Sequence, residues 1–130
     1  MNEIIIILLM IVAYILGSIP NALWIGKVYR GIDIREYGSK NTGSTNAARI
    51  LGPRLGFLTL ILDVSKGSFP LLLALLFKKN ISNNGVNLDK VLIMIGICAI
   101  IGHSFSLFLK FKGGKAVATT VGVFIVLVPK

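Results

Sequence analysis

Few residues of this 130-residue chain carry charge or special chemistry: one cysteine, one histidine, five acidic residues, and only 15% charged residues in all. A lone cysteine, Cys98, set inside an apolar run, excludes a disulfide framework and offers no metal-ligand spacing, so it reads as core packing. No metal and no cofactor are expected. The scarcity of charge, with 55% apolar residues and a mean hydropathy of +0.84, excludes an ordinary soluble domain and places the chain in a bilayer. There is no repeat of fixed period, no low-complexity tract and no linker, so residues 1–130 are expected to form a single membrane domain. The net charge of +9 would suggest nucleic acid in a soluble protein. Here the cations lie between apolar runs, where they serve orientation and anionic headgroups or substrates, and no nucleic-acid partner is expected.

What is present is a series of long apolar segments. Ile4 to Gly26 holds no charge and is about 34 Å long as a helix, enough to cross a hydrocarbon core. A cleaved signal peptide is the competing reading, but Glu3 stands where that signal needs Lys or Arg. Gly17, Ser18, Pro20 and Asn21 interrupt the segment and predict a kink. Leu55–Phe77 and Val91–Leu109 are the second and third spans, separated by a polar turn over Lys78–Lys90. Ala116–Pro129 makes a run of about 21 Å, short of a crossing, which reads as a partial fourth span of a truncated chain. The predicted fold is therefore all-α: a polytopic integral membrane helix bundle of three full spans plus a partial fourth. Lys and Arg gather in the first loop, Lys27–Arg54, and in Lys110–Lys115. That bias predicts an outside N-terminus and puts both loops in the cytoplasm.

Inside the second span, Asp63 and Lys66 are three residues apart and share a helix face, where they pair as a structural tie or act beside a substrate. His103 lies near the end of the third span, as an interhelical donor or a proton-transfer group. Two loops suit an anion. Gly38-Ser39-Lys40-Asn41-Thr42-Gly43-Ser44-Thr45-Asn46 brings small donors and two flexible glycines, and Arg49 follows where Ala47 and Ala48 suggest a helix start. An ordinary capped turn is the alternative. Lys112-Gly113-Gly114-Lys115 opens the last apolar run, as a second cradle or a basic turn at the lipid surface. A nucleotide-hydrolysing loop does not fit, because Ser44-Thr45 stands where Lys then Ser or Thr is required.

Four stretches in this order resemble the bacterial acyl-phosphate glycerol-3-phosphate acyltransferases, the PlsY family. They are Leu16-Gly17-Ser18-Ile19-Pro20; the Gly38–Asn46 segment with Arg49; Leu62-Asp63 with Lys66-Gly67; and Gly102-His103 running into Phe111–Thr119. The resemblance implies a multi-pass enzyme of the bacterial inner membrane. It would move a fatty acyl group from acyl phosphate to the sn-1 hydroxyl of glycerol 3-phosphate, giving lysophosphatidic acid and phosphate. By resemblance, Ser39, Asn41, Arg49, His103 and Lys115 are the catalytic set, and Gly38, Gly43, Thr45, Asn46, Lys112, Gly113 and Gly114 bind substrate. Lys40, Ser44 and Ala116 depart from the family pattern, which has Gly, Ala and Gly there. The family also completes its site with a later His/Asn/Arg segment, so residues 1–130 would be the N-terminal portion of a longer acyltransferase. A small proton-coupled transporter using Asp63 and a non-catalytic membrane subunit are the rival readings.

Overall fold

The computed structural model describes residues 2–39, 43–82, 87–107 and 117–127. All regular structure among them is helical: α1 (Asn2–Ser18), α2 (Asn21–Arg30), a 3-10 turn (Ile34–Glu36), α3 (Ser44–Leu51), α4 (Pro53–Leu76), α5 (Lys78–Ser82), α6 (Leu88–Ser104) and α7 (Val117–Leu127).

The expected kink in the first apolar segment is a true break. Pro20 has no N–H to continue the ladder, and α1 and α2 meet at 41° across Ile19-Pro20. The last turns of α1 and α6 meet, and α7 packs along the second half of α4 in the same direction, Thr119 opposite Asp63 and Gly122 beside Val64 and Ser68. α2 runs back along the first half of α4, from Asn21 beside Asp63 to Arg30 beside Leu51. α4 thus serves two tiers. The upper core gathers Leu9, Ala13, Leu71, Ile95, Ala99 and Val123, and the lower gathers Leu23, Ile25, Ile34, Ala47 and Leu51. Between them lies a layer of buried polar side chains, including Ser18, Asp63, Lys66, His103, Ser106 and Thr119.

Size is distributed in the reverse of a water-soluble bundle. Small residues fill the helix contacts: a Cβ on Gly102 would strike the Tyr14 carbonyl, and one on Gly17 the Ala99 carbonyl. Large apolar residues such as Ile7, Ile11, Phe69, Leu76, Ile97 and Phe124 face outward. Small-in, large-out packing is how helices associate where the solvent is itself apolar.

Among the described residues α4 alone is long and apolar enough to cross a membrane, or two segments if the bent α1–α2 pair is counted as one, against the three full spans expected; the short α7 agrees with a partial fourth. The difference lies in α6: Asn87 accepts from the amides of Asp89 and Lys90 and starts the helix early, yet it ends at Ser104, about 25 Å long. α7 has 11 residues. The Lys78–Lys90 turn begins with α5, because Ile81 is fully buried in the upper core.

Candidate active site

The first loop owes its shape to Asn46. This side chain, 1% exposed, donates from Nδ2 to the carbonyls of Ile34 (3.4 Å) and Tyr37 (3.2 Å) and accepts the Ser39 amide on Oδ1 (3.0 Å). Ile34, fully buried in the lower core, anchors the far end of the loop. Asp33 accepts the Arg35 amide at 2.9 Å and pairs with its guanidinium at 2.8 and 3.0 Å, which pulls the Asp33 carboxyl down to about 2. Gly38 takes the left-handed conformation (φ +55°), and a Cβ there would run into Asn46 Oδ1. The result is a preformed bend with Ser39 on its exposed lip.

Asn46 bonds through Nδ2 and Oδ1 to the backbone of residues 34–39, so its side chain positions Ser39, whose amide turns onto it. One expectation for this loop is corrected: Arg49 does not stand at a helix start. α3 begins at Ser44, after Gly43 in extended conformation, and Arg49 lies in its last turn. The Ser44-Thr45 pair starts the helix three residues earlier than Ala47-Ala48 suggested, since hydroxyl residues favour the first positions over the interior. Thr45 and Arg49 are four apart, and both are exposed. The two thus share one face of α3, and helical side chains lean toward the N-terminus, the direction of Thr45 from Arg49. At the other end, Arg30 Nη2 donates to the Leu51 carbonyl at 3.3 Å and closes α3.

The polar layer forms the second half of the site. Asp63 and Lys66, 1% and 6% exposed, pair at 3.3 Å. Asn21 donates to Asp63 Oδ1 at 2.8 Å, and Lys66 Nζ donates to the Ile19 carbonyl at 2.9 Å. The pair therefore ties α4 to the break in the first helix, the structural one of its two readings. Three bonds strap the end of α6 to the same break: Tyr14 Oη to the Phe105 carbonyl (2.7 Å), Ser106 Oγ to the Ser18 carbonyl, and the Leu107 amide to Ser18 Oγ (3.3 Å). His103 sits in this layer, 7% exposed, within electrostatic range of both Lys66 and Asp63. No hydrogen-bond partner for its imidazole occurs among the described residues.

The structure therefore brings Gly38, Ser39, Gly43, Thr45, Asn46 and Arg49 together around α3, and sets His103 in the polar layer. Ala48 packs on Gly56, a register that points the start of α3 toward the level of Asp63, about one turn further along α4. Asn41, Lys112, Gly113, Gly114 and Lys115, like Lys40 and Thr42, lie outside the described residues. The flanking residues Leu107 and Thr119 both bond into the polar layer, to Ser18 and Asp63. Tyr14 and Ser106 are support that the sequence reading gave no role, and Ser18 and Asn21, read there as kink residues, carry cross-helix bonds as well.

Fold and site define a class: all-helical bundles with an apolar exterior, an interrupted helix and a buried polar layer, as integral membrane proteins are built. Residues 7–130 match the glycerol-3-phosphate acyltransferase family. Glycerol-3-phosphate acyltransferase of Fusobacterium nucleatum subsp. nucleatum is 48% identical over 119 residues, 92% of this chain and 57% of that protein. The enzyme of that name from Listeria monocytogenes is 46% identical over 123 residues, 95% of this chain and 59% of its own length. Two crystal structures of PlsY, described as an integral membrane glycerol 3-phosphate acyltransferase, superpose with the chain. The glycerol 3-phosphate form has a TM-score of 0.80 at 37% identity, and the lysophosphatidic acid form 0.77 at 36%. Each superposition covers 95% of this chain and a little under three-fifths of the solved one. This chain belongs to the glycerol-3-phosphate acyltransferase family. It spans less than two-thirds of the length of these relatives.

Proposed function

We propose that residues 1–130 contribute the N-terminal part of a bacterial membrane acyltransferase, acting as a single membrane domain. It transfers a fatty acyl group from acyl phosphate to the sn-1 hydroxyl of glycerol 3-phosphate, giving lysophosphatidic acid and inorganic phosphate. The observation that carries the reading is the match in fold and sequence, over nearly the whole chain, to an enzyme solved with glycerol 3-phosphate.

The substrate hydroxyl attacks the acyl carbonyl carbon, and the bond from that carbon to the phosphate oxygen breaks. The donor is already activated, so the departing phosphate takes the hydroxyl proton and no strong protein base is needed. The protein's part is positioning and charge. Ser39 and Asn41 hydrogen-bond at the reacting end; Arg49, on the same face of α3 as Thr45, and Lys115 hold phosphate charge as it shifts. Gly38, Gly43, Thr45, Lys112, Gly113 and Gly114 shape the two cradles, and Asn46 holds Ser39 in place. His103 faces the reaction from the polar layer. Both loops lie on the cytoplasmic side, with the N-terminus outside; the strap joining Leu107 to Ser18 supports a shared side.

The transporter reading loses its basis, because Asp63 is already held by Lys66 and Asn21 and has no exposed face to load a proton. The test is phosphate release and lysophosphatidate formation by purified full-length protein given acyl phosphate and glycerol 3-phosphate. Ser39→Ala and Lys115→Ala should each cut turnover by at least about a hundredfold. Unchanged turnover in both would refute the assignment.

A further inference from the structure

The lower tier ends in a basic rim that the proposed reaction does not use. Lys27 and Arg30 lie in the last turn of α2, and Arg54 in the first turn of α4. All three are exposed, and the Arg30 bond to Leu51, just ahead of α4, brings the two helix ends together. No carboxylate among the described residues is within ion-pair distance of any of them; Asp33, on whose carboxyl Lys27 acts at longer range, is paired with Arg35. Arg54 stands at a helix start, where the backbone dipole disfavours a cation and no acidic residue compensates. Exposed apolar and aromatic side chains border the rim: Trp24 (43%), Val28 (76%), Tyr29 (59%) and Phe57 (62%). Such a mixture of rings and cations suits neither water nor hydrocarbon, and belongs at the boundary between them.

Length sets the depth. α4 is about 36 Å long against a hydrocarbon core of about 30 Å, so with Leu76 at one boundary the first turn of α4 emerges on the other side. The rim then stands at the level of the lipid headgroups.

We infer that Lys27, Arg30 and Arg54, flanked by Trp24 and Tyr29, form a contact surface for the phosphate groups of anionic membrane lipid. The inference rests on the membrane reading and not on acyl transfer, so its test needs no turnover. Purified full-length protein in detergent is titrated with phosphatidylglycerol and, separately, phosphatidylcholine, and bound lipid is counted by native mass spectrometry. Each cation near an anionic surface is worth about fivefold at low salt, so Lys27→Gln with Arg54→Gln should lower the preference for phosphatidylglycerol by at least about tenfold. Lys79→Gln with Lys90→Gln removes equal charge outside the rim and should change the preference by less than about twofold. Near 0.5 M salt the wild-type preference should fall toward that of the double variant. An equal loss in the Lys79/Lys90 variant would overturn the inference, leaving only a net-charge effect. Displacement of the bound lipid by equimolar glycerol 3-phosphate or inorganic phosphate would overturn it too, marking the rim as a collector of soluble anions.

Discussion

Replacing Lys66 with methionine keeps most of its volume and removes its charge, leaving the Asp63 carboxylate 1% exposed with the Asn21 amide as its remaining partner. The Ile19 carbonyl loses the ammonium but keeps the Asn21 backbone amide at 3.0 Å, so the damage concentrates on Asp63. Breaking a buried pair on one side costs about 3–5 kcal/mol, more than the pair itself contributes, because the remaining charge cannot reach water. For a protein of the relatives' size, each kcal/mol moves the melting temperature by about 2–4 °C, so Lys66→Met should melt about 6–20 °C below wild type. Adding Asp63→Asn removes the stranded charge while the new amide still accepts from Asn21. The double variant should recover at least about 2 kcal/mol relative to Lys66→Met. The assay is thermal unfolding of the full-length protein in one detergent, followed by tryptophan fluorescence and by the loss of monodisperse protein. A Lys66→Met protein melting within about 2 °C of wild type, or a double variant less stable than the single, would refute the tie between α4 and the helix break.

Asn46→Ala strips the bend of three hydrogen bonds and frees Ser39; turnover by the full-length enzyme should drop at least about tenfold, with about 1–3 kcal/mol of stability lost as well, and a normal rate would mean that Ser39 needs no such support. Gly102→Val puts a branched side chain against the Tyr14 carbonyl and should cost several kcal/mol, read as lost monodisperse protein on size exclusion, whereas Gly31→Ala, with open space around it, should cost only about 1–2 kcal/mol of backbone strain. Asp33, held near 2 by Arg35, adds stability that is fully present above the unfolded carboxyl value and fades as pH falls through the folded one. The stability gap between wild type and Asp33→Asn should therefore stay flat from pH 8 to about 5 and close toward pH 2; a gap that widens in acid would contradict the pairing.

Local signals were the readable ones. Gly17, Ser18, Pro20 and Asn21 announce the break in the first segment because proline and glycine act through their own backbone. The three-residue spacing of Asp63 and Lys66 announces their shared face because helix geometry is fixed. Arg49 was misplaced because alanine pairs and hydroxyl pairs both mark helix starts, and nothing nearby decides between Ser44 and Ala47. Asn46 reads in sequence as one more donor in a polar loop; only folding shows its amide spent on Ile34 and Tyr37. Partners 42 and 88 residues apart, such as Asn21 with Asp63 or Ser18 with Ser106, leave no periodic trace. The family resemblance rested instead on several short motifs in a fixed order, and the family match over residues 7–130 bears it out.

The interrupted first helix has a consequence for biogenesis. Its open turn stays incomplete while the ribosome makes another 47 residues to reach Lys66, and 88 separate Ser18 from Ser106. Until those groups arrive, the Ser18 carbonyl needs a substitute donor and the Ile19 carbonyl has only the Asn21 amide, and bare acyl chains offer neither any help. The nascent segment must therefore wait beside water or the insertion machinery, and only the later helices release it fully into the lipid.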